Sequence, residues 1–163
     1  VDNLKFSQEA VKKGIEALKK GAVIVTDTQM ARAGINKGVL EALGGEAFCF
    51  MADEDVAEAA KAGGTTRATA SMDKAAALDR PVIFAIGNAP TALVRIYELI
   101  TEGRLKPELI IGVPVGFVNV VESKELIMEL DVPYIVARGR KGGSNVAAAI
   151  CNAMLYQCRP ERK

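Results

Sequence analysis

Short runs of aliphatic and β-branched residues alternate with helix-like patterns along the whole chain, and this alternation limits the possible folds most strongly. The clearest runs are Ala22–Thr26, Pro81–Ile86 and Leu109–Ile111, with further candidates at Glu46–Met51 and Pro133–Ala137. Runs this short and apolar are typical of strands that are buried on both faces. Strands that alternate with helices through short turns predict a parallel sheet covered on both sides. We therefore expect a single three-layer α/β/α domain with a mostly parallel sheet over residues 1–163.

The segments between these runs have helical spacing and capping residues. Residues Phe6–Lys20 carry apolar positions at helical intervals, and Ser7 stands where an N-cap is expected. Asp53 precedes an alanine-rich helix that Gly63-Gly64 would end. A further helix is predicted over Thr65–Asp79.

Composition excludes several classes of function. The 163 residues have a formal net charge of +1, so no overall field favours nucleic acid or a membrane surface. The cysteines are three in number, and Cys49 and Cys151 lie in apolar contexts, which predicts reduced core thiols of a cytoplasmic protein rather than disulfides or a metal cluster. The sequence has no histidine, so it lacks the commonest general acid–base and the commonest zinc ligand.

Five glycine-bearing turns follow predicted strands or open predicted helices. In an open parallel sheet such turns gather at the carboxyl edge, where ligands bind. A ligand site at this edge is the strongest functional prediction that the pattern alone supports. The turns lie near Thr28–Gly34, Thr65–Arg67 (directly after Gly63-Gly64), Gly87–Thr91, Gly112–Phe117 and Gly139–Ser144.

The last of these turns has the features of an anion site. Gly139–Ser144 offers backbone N–H groups at the start of a predicted helix, and Arg138, Arg140 and Lys141 lie in or beside it. The glycine spacing matches neither a Walker A loop nor a dinucleotide fingerprint. The turn is therefore interpreted either as a phosphate or carboxylate site or as a plain glycine-rich connection.

Arginine dominates the charged residues near the predicted turns, where Arg32, Arg67, Arg95, Arg138 and Arg140 lie. Its planar fork is the usual partner of carboxylates. Arg67 falls in the first turn of a predicted helix, where a positive charge opposes the helix dipole. An anionic ligand or a buried carboxylate would explain that placement, and a solvated side chain remains the alternative. Four carboxylates show no catalytic or magnesium spacing, and we interpret them as helix caps and surface groups. These four are Asp27, Asp53, Asp55 and Glu122.

Read together, the turns resemble the precorrin-8X methylmutase family, which includes the cobalt-precorrin-8 form. The resemblance covers nearly the whole chain and rests on the joint order and spacing of several segments. They are Thr26-Asp27-Thr28-x-Met30-x-x-x-Gly34-Ile35, Thr66-Arg67, Gly87-Asn88-Ala89-Pro90-Thr91-Ala92-Leu93, Pro114-Val-Gly-Phe-Val118, Glu122-Ser123-Lys124 and Gly139-Arg-x-Gly-Gly-Ser144.

The resemblance implies a homodimeric isomerase of cobalamin (vitamin B12) biosynthesis. Its substrate would be a tetrapyrrole, precorrin-8X or cobalt-precorrin-8, in which a methyl group migrates from carbon 11 to carbon 12 in a sigmatropic shift that needs no cofactor. By position in the family segments, Arg67 is the expected catalytic residue. The residues expected to bind substrate together with Arg67 are Met30, Gly34, Ile35, Thr66, Gly87, Asn88, Phe117, Gly143 and Ser144.

The chain departs from the family pattern at one point. Family members carry an N-terminal segment with a Ser-Phe motif and a His-Ala-x-Gly motif, and the sequence given starts downstream of both. Three hypotheses follow: a methylmutase whose N-terminal segment is missing from the sequence given, a domain that holds a corrinoid without turnover, and a generic α/β enzyme that uses the Gly139–Ser144 turn for a phosphorylated metabolite.

Overall fold

The fold is a six-stranded sheet with helices on both faces, seen in a computed structural model that describes residues 4–116, 120–137 and 142–158. The strand runs predicted from the sequence are present; four have shorter bounds, and the one that begins at Leu109 is longer by one residue. In chain order the elements are β1 (Leu4–Phe6), α1 (Ala10–Lys19), β2 (Val23–Thr26), α2 (Gln29–Gly34), α3 (Lys37–Ala42), β3 (Ala47–Cys49), α4 (Glu54–Gly63), α5 (Arg67–Ala76), β4 (Val82–Ile86), α6 (Pro90–Thr101), β5 (Leu109–Gly112), α7 (Val120–Met128), β6 (Tyr134–Ala137) and α8 (Ser144–Gln157).

The strand order is β1-β6-β5-β4-β2-β3, and every pair is parallel except β1 with β6. The mostly parallel α/β sheet predicted from the sequence is therefore confirmed. From β2 the chain moves outward to β3 and then returns to place β4 on the other side of β2. Such a reversal creates a crevice at the carboxyl ends of the adjacent strands β2 and β4, and doubly wound folds bind their ligands at such a place. Here those ends are Thr26 of β2 and Ala85–Ile86 of β4.

Each central strand contributes side chains to two separate cores, because successive residues of a strand point to opposite faces of the sheet. In β4, Ile83 and Ala85 pack with α1, α3 and α8, whereas Phe84 and Ile86 pack with α4, α5, α6 and α7. All four side chains are fully buried. Burial on both faces explains why β4 reads as a continuous apolar run rather than an alternating one.

The prediction of one helix over Phe6–Lys20 is wrong at its start. Leu4–Phe6 forms the edge strand β1, which pairs antiparallel with β6. Ser7 does not cap a helix: its Oγ accepts a hydrogen bond from the backbone N–H of Tyr134 at 2.8 Å. Helix α1 begins only at Ala10, after Glu9 in a left-handed conformation (φ 59°). The pairing energy of a sheet edge thus outweighs the local helical pattern of these residues.

Two other sequence predictions are tested by the fold. Asp53 stands at the N-cap position of α4 but makes no capping bond with its side chain, which instead pairs with Lys74 at 2.7 Å. Cys49, Cys151 and Cys158 are free and buried, as predicted for reduced core thiols. Among the described residues, no helix is long and apolar enough to cross a membrane.

Candidate functional site

A buried carboxylate lies at the crevice between β2 and β4. Asp27 follows β2 directly and is 2% exposed. Its Oδ1 accepts a hydrogen bond from the backbone N–H of Gly87 at 2.9 Å, and its Oδ2 accepts from Asn88 at 2.8 Å and from Ala89 at 2.6 Å. Burial raises the pKa of Asp27 above its usual value, and the three N–H donors oppose that rise. The interpretation of Asp27 as a surface or capping residue is therefore wrong.

The Gly87 turn lies directly against the start of α8. A side chain at Gly87 would place its Cβ 2.7 Å from Cα of Ser144 and 2.8 Å from the carbonyl of Gly143. Such distances are too short for a real Cβ, so only glycine allows these two turns to touch. Gly143 in turn donates its backbone N–H to the carbonyl of Val113 at 2.7 Å. The turns after β4, β5 and β6 are thereby held in contact.

Two hydroxyl groups join the end of β2 to the start of α8. Oγ of Ser144 lies 2.8 Å from Oγ1 of Thr28, within hydrogen-bond distance. Thr28 also caps α2, because its Oγ1 accepts from the backbone N–H of Ala31 at 3.0 Å. The structure thus brings together four of the predicted substrate-binding residues, Gly87, Asn88, Gly143 and Ser144, at the carboxyl edge of the sheet.

The predicted residues of the α2 segment divide into exposed and buried ones. Met30 is 65% exposed, whereas Ile35 is 3% exposed and belongs to the core beneath α8. Gly34 approaches α8 closely, because a Cβ there would lie 2.9 Å from Cβ of Ala148. Asn152 of α8 donates its side-chain amide to the carbonyl of Gly34 at 2.8 Å. In this segment, Met30 is the side chain that is open to a ligand.

Thr66 and Arg67 lie at the start of α5, as predicted. Oγ1 of Thr66 accepts from the backbone N–H of Thr69 at 3.1 Å, so Thr66 is the N-cap. Arg67 is exposed, and it makes no hydrogen bond or ion pair within the part of the chain that the structure describes. No hydrogen bond between described residues joins this pair to the Gly87 and Ser144 turns. The buried carboxylate that would explain Arg67 is thus not found among those residues.

Two of the other predicted arginines are occupied by the protein itself. Arg32 donates its Nε to the carbonyl of Ala47 at 2.8 Å. Arg95 pairs with Asp73 at 2.6 Å and with Glu98 at 3.2 Å, and these carboxylates raise its pKa. Arg138 and Arg140 lie outside the described residues, as does Phe117, which was predicted to bind substrate. Among the described arginines of the predicted turns, Arg67 is the one for which no internal hydrogen bond or ion pair is seen, so its whole guanidinium is open to a ligand.

The sequence did not lead us to predict that Lys124 is a buried titratable residue. Lys124 of α7 is 1% exposed, and desolvation lowers its pKa to about 8. Its position was readable from the sequence, because it shares a buried helical stripe with Val120, Ser123 and Ile127. In the described ranges no three His, Cys, Asp or Glu side chains are grouped so that they could hold a metal ion.

Comparison with known proteins identifies the family. The sequence profile of precorrin-8X methylmutase matches residues 1–157. The cobalt-precorrin-8 methylmutase of Leptospira interrogans is 48% identical over 159 residues, covering 93% of this chain and 72% of that protein. The enzyme of the same name from Priestia megaterium is 50% identical over 149 residues, covering 91% of this chain and 66% of that protein. The chain thus spans about two thirds to three quarters of the length of these relatives.

A solved structure agrees with the sequence comparison. The precorrin-8X methyl mutase of Thermus thermophilus superimposes with a TM-score of 0.85 at 39% identity, over 96% of this chain and 77% of that one. The likeness therefore extends from individual turns to the complete arrangement of strands and helices. By profile, sequence identity and fold, the chain belongs to the precorrin-8X methylmutase family of isomerases.

Proposed function

We propose that the chain catalyses the migration of a methyl group from carbon 11 to carbon 12 of precorrin-8X or cobalt-precorrin-8, a step of cobalamin biosynthesis. The observation that carries the proposal is the family match over residues 1–157, which includes every turn at the carboxyl edge of the sheet. In the reaction the bond from the methyl carbon to carbon 11 breaks as the bond to carbon 12 forms. Substrate and product are isomers, so no oxidant, reductant or group donor is consumed, and we propose that no cofactor takes part.

The geometry of the described edge fits a flat, carboxylate-bearing substrate. The turns at Gly87 and Gly143 meet without side chains between them, which favours the close approach of a planar ring to the backbone. Exposed Met30 offers an apolar and adaptable contact for such a ring. The open guanidinium of Arg67 is suited to a peripheral carboxylate, for which it would provide two parallel hydrogen bonds. We propose that Thr66, Gly34, Asn88 and Ser144 line the same slot, together with Phe117.

Ile35 has an indirect role in this proposal. Its side chain is part of the core beneath α8, so it is proposed to support the slot through packing rather than through direct contact.

The expected homodimer and cytoplasmic location also remain proposals. Sedimentation equilibrium of the purified chain tests the first, since a mass of one chain at all concentrations would contradict it.

A second candidate function is binding without turnover, favoured by the absence of histidine from the 163 residues. An imidazole has a pKa close to working pH and can act there as a general acid or base. Incubation of the purified chain with cobalt-precorrin-8 separates the two functions. Conversion to the rearranged corrin, followed in the visible spectrum, supports the isomerase; a bound but unchanged spectrum supports the binding protein.

The role of Arg67 is tested with a matched pair of variants. Arg67→Ala is expected to weaken binding of cobalt-precorrin-8 by about 10- to 100-fold, because charge-assisted hydrogen bonds contribute about 1.5–3 kcal/mol. Arg104→Ala removes an exposed arginine that follows α6 at the opposite edge of the sheet and pairs with Glu102. It is expected to bind like the wild type. Equal dissociation constants for the two variants, measured by fluorescence quenching, would remove Arg67 from the site.

A further inference from the structure

The turn after β4 is built as an anion site. It follows one of the two strands at which the strand order reverses, and it leads into α6, a helix of 12 residues. Doubly wound folds commonly bind the phosphate or carboxylate of a ligand at this place, through backbone N–H groups at a helix start. In this chain the corresponding donors are the N–H groups of Gly87, Asn88 and Ala89, which point to one position.

That position is filled by the chain itself. Asp27 approaches from the end of β2 and accepts all three N–H groups with its two carboxylate oxygens, at 2.6–2.9 Å. Gly87 is buried beside it, so the bond from its N–H is shielded from solvent, whereas the bonds from Asn88 and Ala89 are partly buried. The residues that provide donors and acceptor are about 60 positions apart in sequence, as the Asp27 to Gly87 separation shows. This is a long-range contact and not a local capping arrangement.

We propose that Asp27 is a positioning residue whose carboxylate occupies the anion position of the fold and thereby sets the shape of the Gly87–Ala89 turn for the substrate. Two consequences follow for the site. An external phosphate or carboxylate finds the backbone N–H groups of Gly87, Asn88 and Ala89 already occupied, which disfavours this crevice as a binding site for a phosphorylated metabolite. The acidic groups of the substrate must then be bound by other groups.

The contact with α8 links this carboxylate to the rest of the site. Gly87 touches the backbone of Gly143 and Ser144, so a shift of the Gly87 turn displaces the start of α8 as well. Asp27 touches no ligand itself and acts through the peptide groups that it holds. The consequence for corrinoid binding rests on the proposed function, whereas the occupation of the anion position does not.

Chemical rescue tests the occupied anion position without any corrinoid. Asp27→Gly removes the carboxylate and leaves three N–H groups facing a space of its size, so the melting temperature is expected to fall by about 5–10 °C. Sodium formate should restore a large part of this loss in Asp27→Gly, and sodium chloride at equal ionic strength should not. Asp55→Gly is the control, since it also replaces an aspartate by glycine, but the Asp55 side chain is exposed and its removal leaves no buried space for formate. Failure of formate to stabilise Asp27→Gly beyond chloride overturns the proposal.

Two further measurements test the role of Asp27 even if Asp27→Gly does not fold. If Asp27→Gly is recovered unfolded, its refolding yield in formate against chloride gives the same comparison. Asp27→Asn retains an acceptor but turns an amide N–H₂ towards backbone donors, so it should melt below the wild type and bind cobalt-precorrin-8 at least about tenfold more weakly. An Asp27→Asn protein equal to the wild type in both respects would also refute the positioning role.

The corrinoid readout separates this inference from the proposed function. Formate is expected to restore corrinoid affinity to Asp27→Gly along with its melting temperature. If formate restores stability but not affinity, the anion position stands and the positioning role is refuted. If the wild type binds no corrinoid, the proposed function fails while the formate result still decides the occupancy of the anion position.

Discussion

The buried lysine of α7 gives the chain a distinctive dependence of stability on pH. Lys124 is 1% exposed, and desolvation lowers its pKa from 10.5 to about 8. In the unfolded chain the ammonium regains water, so the unfolded state binds this proton more tightly than the folded state. Between about pH 8 and pH 10.5 the unfolded state therefore carries more protons, and the free energy of unfolding rises with pH.

The size of the effect follows from the two pKa values. At about 1.4 kcal/mol per pKa unit, the difference between the two pKa values lowers the free energy of unfolding by about 3 kcal/mol. This penalty is present in full below pH 8 and is relieved above pH 10.5. Relative to Lys124→Met, which has a side chain of similar length and no titration, the wild type should gain about 2 kcal/mol between about pH 7 and about pH 9.5. Urea denaturation at intervals of half a pH unit measures this difference.

A matched variant removes the effect of net charge. Lys12→Met also deletes one lysine, from the exposed side of α1, so it reports how the loss of one positive charge alone changes the pH profile. The reasoning is refuted if the stabilities of wild type and Lys124→Met remain parallel over this pH range. A wild type that loses stability relative to Lys124→Met as pH rises would reverse the sign and exclude desolvation as the dominant cause.

The contacts of the site lead to two further predictions. Gly87→Ala places a Cβ within 2.7–2.8 Å of the Gly143–Ser144 backbone, so the free energy of unfolding measured in urea should fall by about 1–3 kcal/mol. The control Gly38→Ala lies in a helix with room for a Cβ and should be neutral or stabilising by up to about 1 kcal/mol. Equal unfolding free energies for the two variants would contradict the contact between the turns. Asn152→Ala removes the side-chain oxygen that accepts from the backbone N–H of Asn36 at 2.7 Å. The free energy of unfolding should fall by about 1–2 kcal/mol, and hydrogen exchange at the Asn36 amide should become faster. Unchanged exchange at that amide would exclude the bond.

The central part of the fold was predictable because its strands are buried on both faces. β2, β4 and β5 are rich in aliphatic and β-branched residues and are bounded by turn residues, a pattern with few alternatives. β1 was not predictable, because Leu4–Phe6 is too short to show an alternation and is continuous with a helical pattern. Its strand conformation depends on β6, which lies more than a hundred residues away.

The site was predictable in place but not in detail. Parallel strands end at one edge, so the meeting of the turns at Gly87 and Ser144 follows from the strand pattern. The direction of Asp27 does not, because its partners are about 60 residues distant in sequence and local rules favour a cap or a solvated group. The same holds for Arg95, which looked like a ligand-binding arginine and pairs instead with Asp73. Long-range ion pairs and hydrogen bonds decide which polar residues remain open to a ligand.

The antiparallel edge strand also constrains how the chain acquires its structure. The contact of Ser7 with Tyr134 spans 127 residues, and β1 has no sheet partner among the described residues other than β6. During synthesis β1 must therefore wait until nearly the whole domain has left the ribosome before it can pair. Closing so long a loop is entropically costly, so β1 is placed among the last elements to dock and among the first to detach. β1 thus joins β6 late, after the central parallel strands have formed the surface on which the two meet.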